Sequence, residues 1–324
     1  MRIFCLIIIL CVFFENLSAL NLQGIPNAYD GSIPSANSMA MGDTGVTVFD
    51  AQSIFYYNSA ILAYHTGLAI QSSFSCLGKD DSHINNLYNP SGFGLTTFCL
   101  VRNDVSISWN RLVNNNVLVN ISDNDYAKIQ NSINSLSLSF GKKSYFGYST
   151  GFSLSYLYGT VGKTTFDALN NSNASIYNGN GFSCDLSFLF PLQNNLNFGL
   201  NFKNLIGLMF WQNDKTEYVP FTIMSGLGYT YRDLFLCFDW HKYCYRFGNL
   251  DKDKFHFGLE QCMFKNIFLR LGTITLTNFD KRNLSFTYGA GINIKNYQVS
   301  LSCKQENVHS EKFLKYMVTF RDLF

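Results

Sequence analysis

Hydrophobic and polar residues alternate along most of this chain, from about residue 64 to the C-terminal end. The clearest run covers 284–294, where apolar residues hold every second position and Ser, Thr, Gly or Asn holds the positions between them. The segments 196–203 and 297–304 repeat the pattern. Because successive side chains of a strand point to opposite faces, each segment predicts a strand with one apolar and one hydrophilic face.

The connections between these segments alternate between short and long. Strands are expected near 64–77, 92–101, 105–113, 133–141, 145–159, 180–190, 196–207, 220–231, 234–243, 253–262, 267–274, 283–294, 297–305 and 312–321. Short turns are expected at 102–104, 142–144, 191–195, 232–233, 263–266 and 295–296. Longer loops are expected at 78–91, 114–132, 160–179, 208–219, 244–252, 275–282 and 306–311. Outer-membrane barrels have short periplasmic turns and long outer loops, so the pattern predicts an all-β transmembrane antiparallel β-barrel of about 14 strands.

The composition favours a membrane barrel over a soluble domain. Charged residues make up 14% of the chain and aromatic residues 16%. Soluble domains usually carry about a quarter of charged residues. In a barrel, alternate side chains face lipid and a polar interior, so little charge is needed. The formal net charge is +2 and no basic block occurs, which indicates outer-membrane lipid rather than nucleic acid as a partner.

The first 19 residues have the features of a secretory signal peptide. Arg2 supplies the positive charge, Ile3 to Phe14 form an apolar stretch of 12 residues, and Ala19 offers a small residue for cleavage. Twelve residues are too few to span a bilayer as a helix. The chain is therefore expected to be exported to the bacterial outer membrane.

The cysteines and histidines show no spacing typical of a metal site. Seven cysteines follow the predicted signal peptide, and they are scattered about one per strand. Small apolar side chains on strands are the favoured interpretation, while a disulfide between Cys237 and Cys244 stays open. We predict no bound metal and no cofactor.

Residues 36–63 contain a small-residue stretch, a Met-Gly pair, an acidic residue and the run Asn58-Ser59-Ala60-Ile61-Leu62-Ala63. This order resembles the N-terminal signature of the FadL-like outer-membrane barrels, a superfamily that includes long-chain fatty-acid transporters and the PorV/PorQ proteins. The matching positions are Met41, Gly42, Asp50, Asn58, Ala60, Leu62 and Ala63. The departures are Asp43 for the second glycine, Ser59 for the proline and Ile61 for the later glycine.

The resemblance implies that residues 20–63 form a plug, or hatch, inside the barrel of residues 64–324. The glycines of this motif, Gly42 and Gly45, would permit tight turns and close packing in a narrow lumen. Asn58 would bond backbone groups where the segment turns into the first strand. A purely structural plug and a gating plug are both compatible with these residues.

The alternation along each strand places several charged or titratable side chains on the inward face, namely Asp185, Lys203, Asp239, His241, Glu260, Arg270 and Lys304. Asp185 and Lys203 are expected at nearly opposed positions on successive strands, as are Glu260 and Arg270. Such cross-strand ion pairs usually stabilise or close a lumen. The alternative is a ligand headgroup site, for which Arg270 is the best candidate, because its planar fork binds a carboxylate bidentately.

No catalytic residue is assigned. Asp239 and His241 lie two positions apart, but no nucleophile motif accompanies them, so no enzymatic activity is expected. The first function that we predict is passive transport of a hydrophobic small molecule such as a fatty acid. The alternative is a PorV/PorQ-like secretion or envelope-assembly accessory that binds protein cargo, and a third possibility is a general diffusion pore. All three rest on analogy with the fold.

Overall fold

The computed structural model describes residues 34–78, 94–120, 126–166, 172–193, 195–212, 215–244, 252–276, 284–308 and 311–323. Two short α-helices, α1 (Ala36–Ala40) and α2 (Ala51–Tyr57), and a 3₁₀ helix (Ser59–Tyr64) precede the strands. The strands are β1 Leu68–Gly78, β2 Gly94–Arg102, β3 Val105–Asn120, β4 Tyr126–Lys143, β5 Ser149–Phe166, β6 Ser172–Gln193, β7 Leu196–Trp211, β8 Thr216–Tyr218, β9 Phe221–Tyr231, β10 Leu234–Cys244, β11 Lys252–Met263, β12 Ile267–Leu276, β13 Ser285–Ile294, β14 Tyr297–Val308 and β15 Glu311–Leu323.

These strands close into an antiparallel barrel. Each barrel strand pairs with its sequence neighbours, and β1 pairs with β15, where Ala69 lies opposite Leu323. The three-residue β8 pairs only with the far end of β7, so β9 pairs directly with the first half of β7. Fourteen strands therefore form the closed wall, and the predicted fold class is confirmed. Closure leaves no open sheet edge, as a membrane-spanning sheet requires.

Inward and outward side chains alternate around the wall as the sequence predicts. On β13, Thr287 and Gly291 are buried, whereas Phe286, Tyr288 and Ile292 are exposed on the outward face. Exposed aromatic and aliphatic side chains recur on the outward face of β3, β4, β5, β9 and β12. A closed apolar outer surface matches the hydrocarbon of a bilayer, so the protein is an outer-membrane barrel.

The short turns lie at one end of the barrel, the end where β1 begins and β15 finishes. Several of their residues have positive φ, namely Asn103, Arg232, Phe264, Lys265 and Lys295. Left-handed backbone of this kind suits two-residue hairpins, whose twist matches that of the strands. By the general rule for such barrels, this end faces the periplasm.

Strands β3 to β6 continue into stretches that the sequence predicts as long loops. The pairing of β3 with β4 runs to Asn120 and Tyr126, and that of β5 with β6 runs to Phe166 and Ser172. The predicted loops at 114–132 and 160–179 are therefore wrong. These ends are rich in Asn, Ser and Thr and show no regular alternation of apolar and polar residues in the sequence. A strand without that alternation gives no period-two signal from which it could be predicted.

Other details differ from the predictions or lie outside the described residues. The first strand begins at Leu68 instead of 64, because the 3₁₀ helix runs to Tyr64. Cys237 and Cys244 form no disulfide with each other. They lie seven residues apart on β10 and point to opposite faces, so the disulfide considered above is wrong. The predicted signal peptide, residues 1–19, lies outside the described residues.

Candidate functional site: the N-terminal segment and its binding surface in the lumen

Residues 34–64, here called the N-terminal segment, lie against the inward face of the barrel. Most of their side chains are buried. Ser35 caps α1, because its hydroxyl accepts a hydrogen bond from the backbone N–H of Ser38. The segment then contacts strands all around the barrel: β12 to β15 through α1, and β4, β5 and β6 through the 3₁₀ helix.

Met41 and Gly42 lie where the segment passes closest to β11, β12 and β13. Gly42 has a φ of +71°, a conformation that disfavours any side chain. Its N–H donates to the Thr287 hydroxyl at 2.9 Å, and its carbonyl lies 2.7 Å from Nδ1 of His256. The Thr287 hydroxyl in turn donates to the carbonyl of Ala40. The Met-Gly pair is thus held by polar side chains of the wall, which the sequence motif does not include.

Asp239 holds the next turn of the segment. Its Oδ2 accepts the backbone N–H groups of Gly45 and Val46, at 2.7 and 3.0 Å. Asp239 is fully buried, and hydrogen bonds to a charged acceptor are among the stronger ones in a protein. Nε2 of His241 lies 3.8 Å from the same oxygen. The predicted inward position of Asp239 therefore serves the binding of the segment.

An aromatic group packs beside this carboxylate. The ring of Tyr57 lies 6.0 Å from that of His241, which lies 4.2 Å from that of His256. Burial raises the pKa of the Tyr57 phenol well above its ordinary value, and the nearby Asp43 carboxylate acts in the same direction. Tyr57 therefore stays neutral, and its ring acts as a packing surface between α2 and β10.

Asp50, Asn58 and Ala60 attach the second half of the segment. Asp50 begins α2 without capping it through its side chain. Its carboxylate faces the wall instead, 3.4 Å from Nε2 of Gln71 and 3.9 Å from Nη1 of Arg321. The amide of Asn58 donates to the carbonyls of Val46 and Phe188 and accepts from the N–H of Ala60.

Glycines of the wall make room for the segment. A Cβ atom on Gly272 would collide with the backbone of Met41 and Gly42, and one on Gly151 would collide with that of Ser59 and Ala60. The wall glycines with such a contact to the segment are Gly141, Gly151, Gly199, Gly226, Gly228, Gly258, Gly272 and Gly289. Five of them, Gly226, Gly228, Gly258, Gly272 and Gly289, lie on β9, β11, β12 and β13. We call the inward face of β9–β13 the glycine wall.

The remaining inward charges also occupy defined places. Nε of Arg270 donates to Glu260 at 2.6 Å, and its Nη1 lies 3.3 Å from the Ser300 hydroxyl. Nζ of Lys304 lies 3.3 Å from Asp43 of the segment.

Asp185 and Lys203 meet at an irregularity between β6 and β7. Cys184 pairs with Ile206 and Leu186 with Phe202, so three residues of β7 lie opposite Asp185. Asp185 accepts the N–H of Asn204 at 2.7 Å, while the Lys203 ammonium lies 3.0 Å from the ring centre of Tyr56. Lys203 is therefore a further contact to the segment, through a cation–π interaction.

The opposite side of the lumen has a different lining. Buried serines on β3, β4 and β5 face inward, and several bond one another: Ser137 to Ser155 at 2.7 Å and Ser153 to Ser139 at 2.9 Å. We call this inward face of β3–β5 the serine wall. Farther from the short turns, the buried residues become apolar and form one cluster: Val113, Ile133, Leu157, Met209 and Val219. On this side, the lining of the lumen thus changes from hydroxyl groups to apolar side chains along the barrel axis.

The sequence identifies some of these residues and misses others. Met41, Gly42, Gly45, Asp50, Asn58, Ala60, Asp239 and Lys203 lie together around the segment, whereas Glu260 and Arg270 pair with each other. Thr287, His256, Ser187 and Gly272 are missed. Small or polar residues at inward positions were the available signal, but they occur throughout the barrel.

Among the described residues, no group of three or more His, Cys, Asp or Glu side chains is placed to hold a metal ion. The described helices are all too short or too polar to cross a membrane.

Comparison with known proteins rests on structure alone. No protein-family model and no curated protein matches the sequence. The fold is similar to the crystal structure of the Ralstonia pickettii toluene transporter TbuX, with a TM-score of 0.67 and 11% identity, covering 93% of this chain and 100% of that one. The crystal structure of the Pseudomonas putida toluene transporter TodX is similar as well, with a TM-score of 0.67 and 11% identity, covering 92% of this chain and 100% of that one.

A Pseudomonas aeruginosa FadL homologue is also similar, with a TM-score of 0.64 and 10% identity, covering 93% of this chain and 99% of that one. At such identities the likeness establishes the fold only. Nearly the whole length of each chain is included in these comparisons. The chain has the fold of a FadL-like outer-membrane β-barrel.

Proposed function

We propose that this barrel carries hydrophobic small molecules passively across the outer membrane and that the N-terminal segment is its plug. The observation that carries the proposal is the way the segment is held. Its attachments to β10, β13 and β14 include hydrogen bonds and one ion pair: Asp239 to Gly45, Thr287 to Gly42, and Lys304 to Asp43. When the segment moves, hydrogen bonds to the wall can be replaced by hydrogen bonds to water. A segment held only by apolar packing would instead have to expose its buried apolar surface to water.

The apolar cluster supports a hydrophobic cargo. Val113, Ile133, Leu157, Met209 and Val219 lie on the side of the lumen away from the short turns, which is the side where a ligand from outside would enter. Burial of apolar surface there would supply binding free energy of roughly 25 cal/mol per Å². The solved structures of similar fold include two toluene transporters, so toluene and oleate are suitable probes. No enzymatic step is part of the proposal.

A reversible disulfide between the segment and the wall tests both parts of the proposal, transport by the barrel and the role of the segment as its plug. The Thr44 hydroxyl lies 2.9 Å from Sγ of Cys237, so the substitution Thr44→Cys places a thiol within reach of a native one. Oxidation should join the segment to the wall. We expect uptake of at least one probe to fall severalfold on oxidation in a strain that carries T44C, and to recover on reduction.

The double variant T44C/C237S serves as the control, since it carries the new thiol without its partner. Transport would be refuted if the wild-type strain took up the probes no faster than a deletion strain. Uptake that persists after the disulfide has formed would refute a moving plug and leave transport standing. If transport is absent and envelope proteins co-purify with the barrel instead, the function of a secretion or assembly accessory is favoured.

A further inference from the structure

The outward face of β9–β13 contains an apolar groove. Its volume is about 660 Å³, and its lining is formed by aromatic and aliphatic side chains of neighbouring strands. The groove includes Thr273, which lies opposite Phe257 on β11 and opposite Phe286 on β13. Because threonine is much smaller than the two phenylalanines beside it, the row of outward side chains has a gap at this position.

The groove lies in the half of the wall that adjoins the short turns. Leu236 and Leu271, which also line it, are three and five residues from the turns at 232–233 and 264–266. At about 3.3 Å per residue, the groove spans depths of roughly 10 to 25 Å from those turns. This is the depth at which the acyl chains of one leaflet lie.

The turns directly below the groove are basic. Arg232, Lys265 and Lys295 are exposed in the three consecutive short turns that join β9–β10, β11–β12 and β13–β14, and Asp233 is the acidic residue among them. Neighbouring turns are two strand spacings apart, or about 10 Å. Phe264 is 84% exposed beside Lys265, so apolar surface reaches the level of the basic groups.

We propose that this surface is a binding site for an anionic glycerophospholipid of the periplasmic leaflet. One acyl chain would occupy the groove at Thr273, between the rings of Phe257 and Phe286. The phosphate would lie between the basic side chains of the turns, whose aliphatic stems can extend along the wall to reach it. The positive charge selects a net anionic headgroup over a zwitterionic one. The groove opens outward, so this site is separate from the lumen and from the proposed transport route.

The test uses the folded full-length protein in detergent, titrated with dioleoyl phosphatidylglycerol or dioleoyl phosphatidylethanolamine and followed by native mass spectrometry. We expect wild type to bind phosphatidylglycerol at least about tenfold more tightly, because each basic group near the headgroup adds to the attraction. The triple variant R232Q/K265Q/K295Q should lose this preference. Thr273→Trp should weaken the binding of both lipids, because it fills the groove.

Two matched controls separate a site from a general effect. K163Q/K215Q/K252Q removes three positive charges at the other end of the barrel, and Thr150→Trp enlarges an outward threonine on β5. Both should bind the two lipids as wild type does. Equal binding of the two lipids by wild type would overturn the proposal. So would a preference that survives the triple variant, or an equal loss in the charge control. A difference in electrophoretic mobility between heated and unheated samples confirms that each variant is folded.

Discussion

The glycine wall and the serine wall belong to one sheet, and side chains alternate between the inward and outward faces in both. Their inward residues nevertheless make different contacts. On the glycine wall, the inward positions lack side chains at Gly258 and Gly272, so the backbone of the N-terminal segment contacts the strands directly. On the serine wall, hydroxyls such as Ser137 and Ser155 bond to each other across neighbouring strands. An inward polar residue therefore either holds the segment or completes the wall, and the difference is decided by what lies opposite.

The largest effect is expected from adding a methyl group to the glycine wall. Gly272→Ala would place a Cβ against the backbone of Gly42 and Met41, which cannot move as a flexible side chain can. We expect the free energy of unfolding in urea to fall by about 1–3 kcal/mol, and the segment to become sensitive to chymotrypsin. Gly162→Ala is the control, because its nearest neighbour would be 3.8 Å away. Equal effects at the two glycines would contradict the close docking described here.

A smaller effect is expected when the charge that holds the segment is removed. Asp239→Asn keeps an oxygen acceptor for the N–H groups of Gly45 and Val46 but makes both bonds neutral, at a cost of about 1–2 kcal/mol. Native Cys237, buried beside Thr44, should then react faster with maleimide. Asp185→Asn is the control, because that carboxylate bonds to the backbone of β7. Unchanged labelling of Cys237 in D239N would show that Asp239 does not retain the segment.

The smallest effect is expected on the serine wall. Ser137→Ala removes a single neutral hydrogen bond to Ser155, for a loss of no more than about 1 kcal/mol. Labelling of Cys237 and chymotrypsin sensitivity should both match wild type. A clear increase in either would mean that the bond between Ser137 and Ser155 also supports the segment, in addition to the direct contacts that Gly141 and Gly151 on the same strands make with it.

Much of the barrel can be predicted from the sequence, because apolar and polar residues must alternate along every strand that has one face in lipid. The run at 284–294 predicts β13 with the correct parity, and Glu260 is predicted opposite Arg270, as the register shows. Where the sequence lacks that alternation, as at the ends of β3 to β6, the same reasoning predicts loops, and the prediction is wrong. The irregularity opposite Asp185 could not be predicted either. The extra residues of β7 at this point are ordinary strand residues, so the hydrophobic pattern does not mark them.

The sequence by itself determined the class of the protein: a closed, lipid-facing sheet, about 14 strands, and a distinct leading segment. These follow from side-chain period and turn spacing, which are local properties of the chain. Only the tertiary structure decided which inward residues hold that segment. Thr287 and Asp239 lie about 245 and 194 residues from the backbone groups that they bind, and no local pattern encodes such a pairing. It arises when the sheet closes and brings the glycine wall to the path of Gly42 and Gly45.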